Sequence, residues 1–111
     1  MIADKYIVNV EAAIVKDGRY LMIVRGQEEY APGGLSFPGG KVEGAGSRDD
    51  ILEETLRREI AEEVGLEVHD EMAYLRSSAF VAESEPVVDM VFLCRICIKL
   101  RIGQKEAPVA S

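Results

Sequence analysis

No apolar stretch in the chain approaches the roughly 20 residues that a helix needs to cross a bilayer, so a membrane span is not expected. The opening residues, MIADKYIVNV, also lack a basic region followed by a long apolar run, which argues against a secretory leader. The cytoplasm is the expected compartment. Basic residues are in the minority: 13 Lys and Arg stand against 20 Asp and Glu, for a net charge of −7. Nucleic-acid polymers are held by basic surfaces and are therefore not expected as partners. A small phosphorylated substrate is not excluded, because a divalent metal can carry its charge into an acidic site.

Cysteine and histidine are nearly missing too. Cys94 and Cys97 are the only cysteines, and no second pair exists to complete a zinc site. They fall in a stretch that reads as a strand, where residues three apart face opposite sides, so structural thiols of the core are expected. The one histidine, His69, stands in a turn-like His-Asp-Glu without a companion and reads as a surface residue. Internal repeats and low-complexity tracts are absent. The composition does supply 48% hydrophobic residues in 111, enough for the core of a single domain over residues 1–111.

The chain is organised around residues 39–66, GGKVEGAGSRDDILEETLRREIAEEVGL. A helix is expected to start near Asp49 or Asp50, with Ser47 or Asp49 as its cap, and to stop at Gly65. Leu52, Leu56, Ile60 and Val64 recur every four residues and form one stripe to pack on a sheet, widened by Ile51 and Thr55. Glu59, Glu62 and Glu63 stand at i, i+3 and i+4, so the helix projects them from one face, beside the buried stripe. Like charges that close repel unless a cation sits among them, and hard oxygen ligands suit magnesium or manganese. The plain alternative is a solvated face laced by Glu53 with Arg57, Glu54 with Arg58 and Arg58 with Glu62, each pair worth about 0.2–0.5 kcal/mol.

The fixed grammar around the acids favours a site. Arg58, Glu59, Ile60, Glu62, Glu63, Gly65 and Leu66 resemble the second half of the Nudix hydrolase signature, G-x5-E-x7-R-E-U-x-E-E-x-G-U, where U is aliphatic. Phe37-Pro38-Gly39-Gly40-Lys41-Val42-Glu43 is similar to the run that precedes it in that family. The first half departs from the pattern: Asp50 takes the first acidic position, Gly44 the leading glycine, and a four-residue insertion falls within residues 44–50. The resemblance implies an α/β/α sandwich built on a mixed sheet. It implies Glu59, Glu62, Glu63 and the Gly40 carbonyl as metal ligands, and Glu59 as the residue that supplies or orients the general base. Arg58 would then hold the loop and the acids by a charge pair. Arg25 and Lys41 are the expected substrate contacts. Glu83 and Glu85 lie in the best-placed loop for a further acid.

Around this centre the rest reads as strands. Residues 6–15 and 20–24 form a hairpin about an Asp-Gly turn at Asp17-Gly18. Residues 26–34 form a loop long enough to reach over a site, and 35–37 a short strand that delivers the chain to Gly39-Gly40, where glycine is expected to turn with φ > 0. Residues 72–81 and 87–101 are two more strands, with Pro86 expected to stop pairing between them. Residues 102–111 carry a proline and no helical period, so they read as a disordered tail, and the second covering helix of the sandwich is missing from this reading. A bare apolar sheet face needs cover, and a homodimer is the simplest remedy. The expected function is metal-dependent cleavage of the pyrophosphate of a nucleoside diphosphate linked to another group. The alternative is a regulatory module of the same fold that holds a nucleotide without turning it over.

Overall fold

The computed structural model describes residues 5–26, 33–44 and 46–97. Its centre is β1 (Ile7–Lys16), whose IVNVEAAIVK sequence favours an extended chain through β-branched residues. The side chains alternate. Val10, Ala12 and Ile14 are fully buried under the helix, whereas Ile7, Asn9 and Glu11 face the other way.

Asp17 and Gly18 turn the chain with φ of 52° and 73°, the two-residue geometry expected of Asp-Gly. The strand that returns is shorter than expected. β2 (Arg19–Tyr20) pairs with Val15 and Lys16, and Leu21 still donates its N–H to the Ile14 carbonyl at 3.0 Å. The chain then departs, and β3 (Ile23–Val24) pairs instead with β4 (Leu35–Ser36) in a separate two-stranded sheet. The reason is that the same edge of β1 is already taken. β5 (Gly39–Lys41) sets Gly39, Gly40 and Lys41 opposite Glu11, Val10 and Asn9.

That pairing corrects the expectation of a glycine turn, since Gly39 and Gly40 lie within a strand and neither has positive φ. Glycine is required for closeness instead. A Cβ on Gly39 would collide with the Val10 carbonyl oxygen and stand 2.8 Å from the Glu11 Cα.

Helix α1 (Ile51–Val64) packs its expected stripe on the sheet: Leu56 and Ile60 are fully buried, and Leu52 and Val64 pack at the margin. It starts where expected, but its cap differs. Asp50 is the cap, in a left-handed conformation with φ 55° and no side-chain capping bond; Thr55 Oγ1 donates to the Ile51 carbonyl at 2.7 Å inside the first turn. Gly65 ends the helix at φ 65°, donating to the Ala61 carbonyl as expected of a glycine stop.

β6 (Ala73–Ala82) and β7 (Glu85–Arg95) form a tight hairpin through Glu83 and Ser84, both at positive φ. Pro86 does not stop the pairing. It sits opposite Val81 at the second position of β7, where a missing N–H is least disruptive. β7 runs parallel to β1 from Ile7↔Val87 to Val15↔Arg95, and the strand order is β2-β1-β7-β6 with β5 also on β1. The sheet is therefore mixed, with one helix against one face among the described residues. Past β7, Ile96 bridges Val68, and His69 is exposed with its N–H on the Arg95 carbonyl. The expected tail at 102–111 and most of the loop at 26–34 lie outside the described residues.

Candidate active site

A cavity of about 470 Å³ opens on the sheet face opposite α1. β1 supplies Ile7, Asn9 and Glu11 to its floor, and β5 and Glu63 close one end. Phe80 and Val87, cross-strand partners on β6 and β7, stand at the other end.

Glu59 and Glu63 are one helical turn apart, and both reach the glycine strand. Glu63 Oε1 accepts the Gly39 N–H at 3.3 Å. The Glu59 carboxylate lies so close to Gly40 that a Cβ there would stand 2.6–3.0 Å from its three terminal atoms. Only 18% of the Glu59 side chain is exposed, and Arg58 Nη2 approaches its Oε1 at 3.5 Å. Arg58 thus pairs with its neighbour rather than with Glu54 or Glu62. Arg57 turns to Asp70 at 4.0 Å, and Glu54 to Arg48 at 3.4 Å. None of these arginines makes an i, i+4 pair along the helix: Arg57 reaches Asp70 beyond its end, and Arg58 pairs with the adjacent Glu59.

Glu62 does not share that arrangement. It lies exposed, and among the described residues no three acidic, His or Cys side chains converge on one point. The helix explains this: at about 100° per residue, Glu62 and Glu63 fall on opposite sides of Glu59. Two carboxylates set against glycine backbone form a cradle of hard oxygen donors, and this donor chemistry fits magnesium or manganese.

The two expected cations are both present: Arg25, at the end of β3, and Lys41, at the end of β5, line the cavity. Arg25 is fixed by its backbone, donating to the Gly34 carbonyl at 2.8 Å and accepting from Gly33 at 3.1 Å. Glu83 and Glu85 also line the cavity, at the β6–β7 hairpin. Cys94 lies wholly in the core, where burial pushes its thiol up to about 11, and Cys97 is half-buried.

Three polar residues on the cavity side of the sheet were not singled out by the spacing of motifs. Asn9 and Asp89 are cross-strand partners on β1 and β7, and Asn9 Nδ2 donates to Asp89 Oδ1 at 2.6 Å. Asp89 is only 6% exposed. Glu11, two residues along β1, hydrogen-bonds the same carboxyl. Burial first, then the bond to Asp89 and its charge, push Glu11 up to about 8, against the lowering pull of Arg25. A polar residue between apolar ones in IVNVEAAIV and in PVVDMVFLC is the signal that marks these residues, because a charged group in a buried strand is costly unless paired.

Known proteins share this architecture. The family model for the NUDIX domain matches residues 5–107. A MutT NUDIX hydrolase from Burkholderia pseudomallei is similar at 32% identity, with a TM-score of 0.69 over 83% of this chain and 68% of that one. A UDP-X diphosphatase is 27% identical, with a TM-score of 0.65 over 87% of this chain and 45% of its own. A MutT protein from Methanosarcina mazei Go1 shares the fold at 24% identity and a TM-score of 0.66, covering 91% of this chain and 72% of that one. No curated protein matches the chain by sequence. The chain spans between about half and two thirds of the length of several solved relatives. With a family match that runs through β1, the glycine strand, α1 and β7, the chain belongs to the NUDIX domain family.

Proposed function

We propose that the chain cleaves the pyrophosphate bond of a nucleoside diphosphate linked to a second group, with magnesium or manganese held by Glu59, Glu62, Glu63 and the Gly40 carbonyl. The observation that carries this reading is the seating of Glu59 and Glu63 against Gly39 and Gly40, with Glu63 opening on the same cavity as Arg25 and Lys41. The name of the UDP-X diphosphatase neighbour supports the substrate class. When bound, the metal supplies a polarised phosphorus, a stabilised leaving phosphate and a water of lowered pKa.

The chain's own residues do the rest. Glu59, partly sheltered and steadied by Arg58, is the group that takes or orients the proton of the attacking water. Glu63 is held in register by the Gly39 N–H, so the acid is oriented before substrate arrives. Arg25 and Lys41 face the cavity as the cations for the substrate's phosphates. Glu83 and Glu85 stand at its hairpin end, where a further acid can act.

A release assay over nucleoside diphosphate derivatives, with magnesium and with manganese, tests the reading. Metal-dependent release of two phosphorylated products is the expected result. Tight nucleotide binding without release, in a chain with every acid intact, would establish the non-catalytic regulatory module instead.

A further inference from the structure

β6 ends the strand order, so among the described residues its outer edge has no partner. Such an edge is a template for pairing with another chain unless charge, proline or shortness blunts it. β6 has ten residues, AYLRSSAFVA, with one charge and no proline. A register shift between Tyr74 and Arg76 interrupts its start, and the turn at Glu83 and Ser84 ends it. The regular ladder is therefore the seven residues from Arg76 to Ala82. Alternation puts Arg76, Ser78, Phe80 and Ala82 on the cavity side, where Phe80 and Ala82 line the cavity.

Charge is divided between the two ends of this ladder. Arg76 stands at one end, and Glu83 and Glu85 at the other, Glu85 being the cross-strand partner of Ala82. None of the three makes an ion pair among the described residues. Six residues of strand span about 20 Å, so Arg76 cannot reach the acids of its own chain. A second copy, turned end for end, brings opposite charges together at both ends. Symmetry also fixes the register. Residues directly opposite in an antiparallel pair point to one face, while chain neighbours alternate, so a two-fold axis must pass through a residue paired with its own copy. Ala79 is the midpoint of the seven, and only an axis there pairs them all.

We propose that two copies pair antiparallel through β6 about Ala79, each placing its Arg76 opposite the partner's Ala82 and beside the partner's Glu83. Ser77 then faces the partner's Val81, and Ser78 the partner's Phe80, so both apolar side chains lie against a strand instead of water. The small side chain of Ala79 leaves the axis uncrowded. Each cavity gains a cation from the other chain, at the end opposite β5. The use of that cation as a phosphate contact rests on the hydrolase reading; the pairing does not.

Cysteine crosslinking under mild oxidation reads the register. Paired residues in an antiparallel ladder have Cα atoms about 4.5–5.5 Å apart, within the span of a disulfide. Ala79→Cys is expected to form a covalent dimer at micromolar concentration. Ser77→Cys, set about 13 Å from its own copy, is expected to show only the wild-type background from Cys94 and Cys97. Sedimentation velocity reads the charges. Arg76→Glu is expected to weaken the dimer about ten-fold or more, because like charges then meet at both ends. Adding Glu83→Lys and Glu85→Lys to it is expected to restore the pairing. All three positions are exposed, so folding, followed by thermal melts, is expected to persist.

A wild-type chain that stays monomeric at about 100 μM overturns the proposal. So does Ser77→Cys crosslinking as readily as Ala79→Cys, or a dimer indifferent to Arg76→Glu. None of these readouts needs turnover, so the two readings separate. A dimer of this register with no release removes the hydrolase reading alone, and release by a monomer removes this one alone.

Discussion

Glu59, Glu62 and Glu63 are the same residue type within five positions, yet they have three different environments. Glu59 is sheltered beside Gly40 and Arg58; Glu62 and Glu63 are both exposed, and of these two Glu63 takes the Gly39 N–H. Glu63→Gln or Glu59→Gln is therefore expected to lower turnover by roughly 100-fold or more while the chain stays folded, as when a positioned charge is removed from a reacting centre. Glu62→Gln is expected to cost less than either. Steady-state rates at saturating magnesium, alongside circular dichroism, decide this; wild-type turnover in Glu63→Gln would remove it from the metal site. Glu11 gives a second residue-level expectation, on stability. Asp89, itself bonded by Asn9, and Arg25 act on it, and Lys41 and Glu63 line the same cavity. Its folded pKa is raised from 4.5 to about 8, so across that window the folded chain keeps a proton that the unfolded chain releases. The stabilisation is full below about pH 4.5 and is lost as pH rises through about 8. Urea midpoints at the two ends of the window should fall with rising pH in the wild type and fall less in Glu11→Gln. An identical slope in both would assign the effect to other groups.

Strand β5 and helix α1 meet through two glycines that exclude a side chain for different reasons. At Gly39 the obstacle is backbone, the Val10 carbonyl and the Glu11 Cα, and neither can yield without parting β1 from β5. At Gly40 it is the end of the Glu59 side chain, which can rotate. Gly39→Ala is thus expected to destabilise the fold by about 1–3 kcal/mol. Gly40→Ala should spare most of the stability and lower turnover by displacing Glu59. Thermal melts and rates on both variants would show the split; equal loss of stability in the two would mean that the glycines serve only strand pairing. Elsewhere α1 behaves as its apolar period requires. Ile60→Ala, at a fully buried position of the stripe, is expected to cost about 2–5 kcal/mol.

At the scale of the molecule, the sheet is covered unevenly. α1 covers one face at β1 and β5, while every residue of β6 from Ala73 to Val81 is exposed, with Phe80 at 43% and Val81 at 67%. A homodimer that covers this strand is expected, with light scattering at micromolar concentration giving twice the chain mass; a clean monomer mass with a sharp melt would oppose it. Metal should raise the melting temperature, and a chelator reverse the gain, because only the folded chain brings Glu59 and Glu63 together at the glycine strand; a site filled at 100 times its dissociation constant adds about 2.7 kcal/mol. Among the described residues no helix is long and apolar enough to cross a membrane. The sequence alone determined what depends on neighbours within a turn of chain. The stripe from Leu52 to Val64, the stop at Gly65 and the Asp17-Gly18 turn all follow from local periodicity and backbone preference. Only the tertiary structure decided what depends on strands meeting. The division of residues 20–24 between two sheets, the need for glycine at Gly39 and the joining of Glu11 to Asp89 are set by which edge of β1 is free and which strand lies beside it. Such pairings join residues far apart along the chain, and the pattern within any one segment is compatible with several partners.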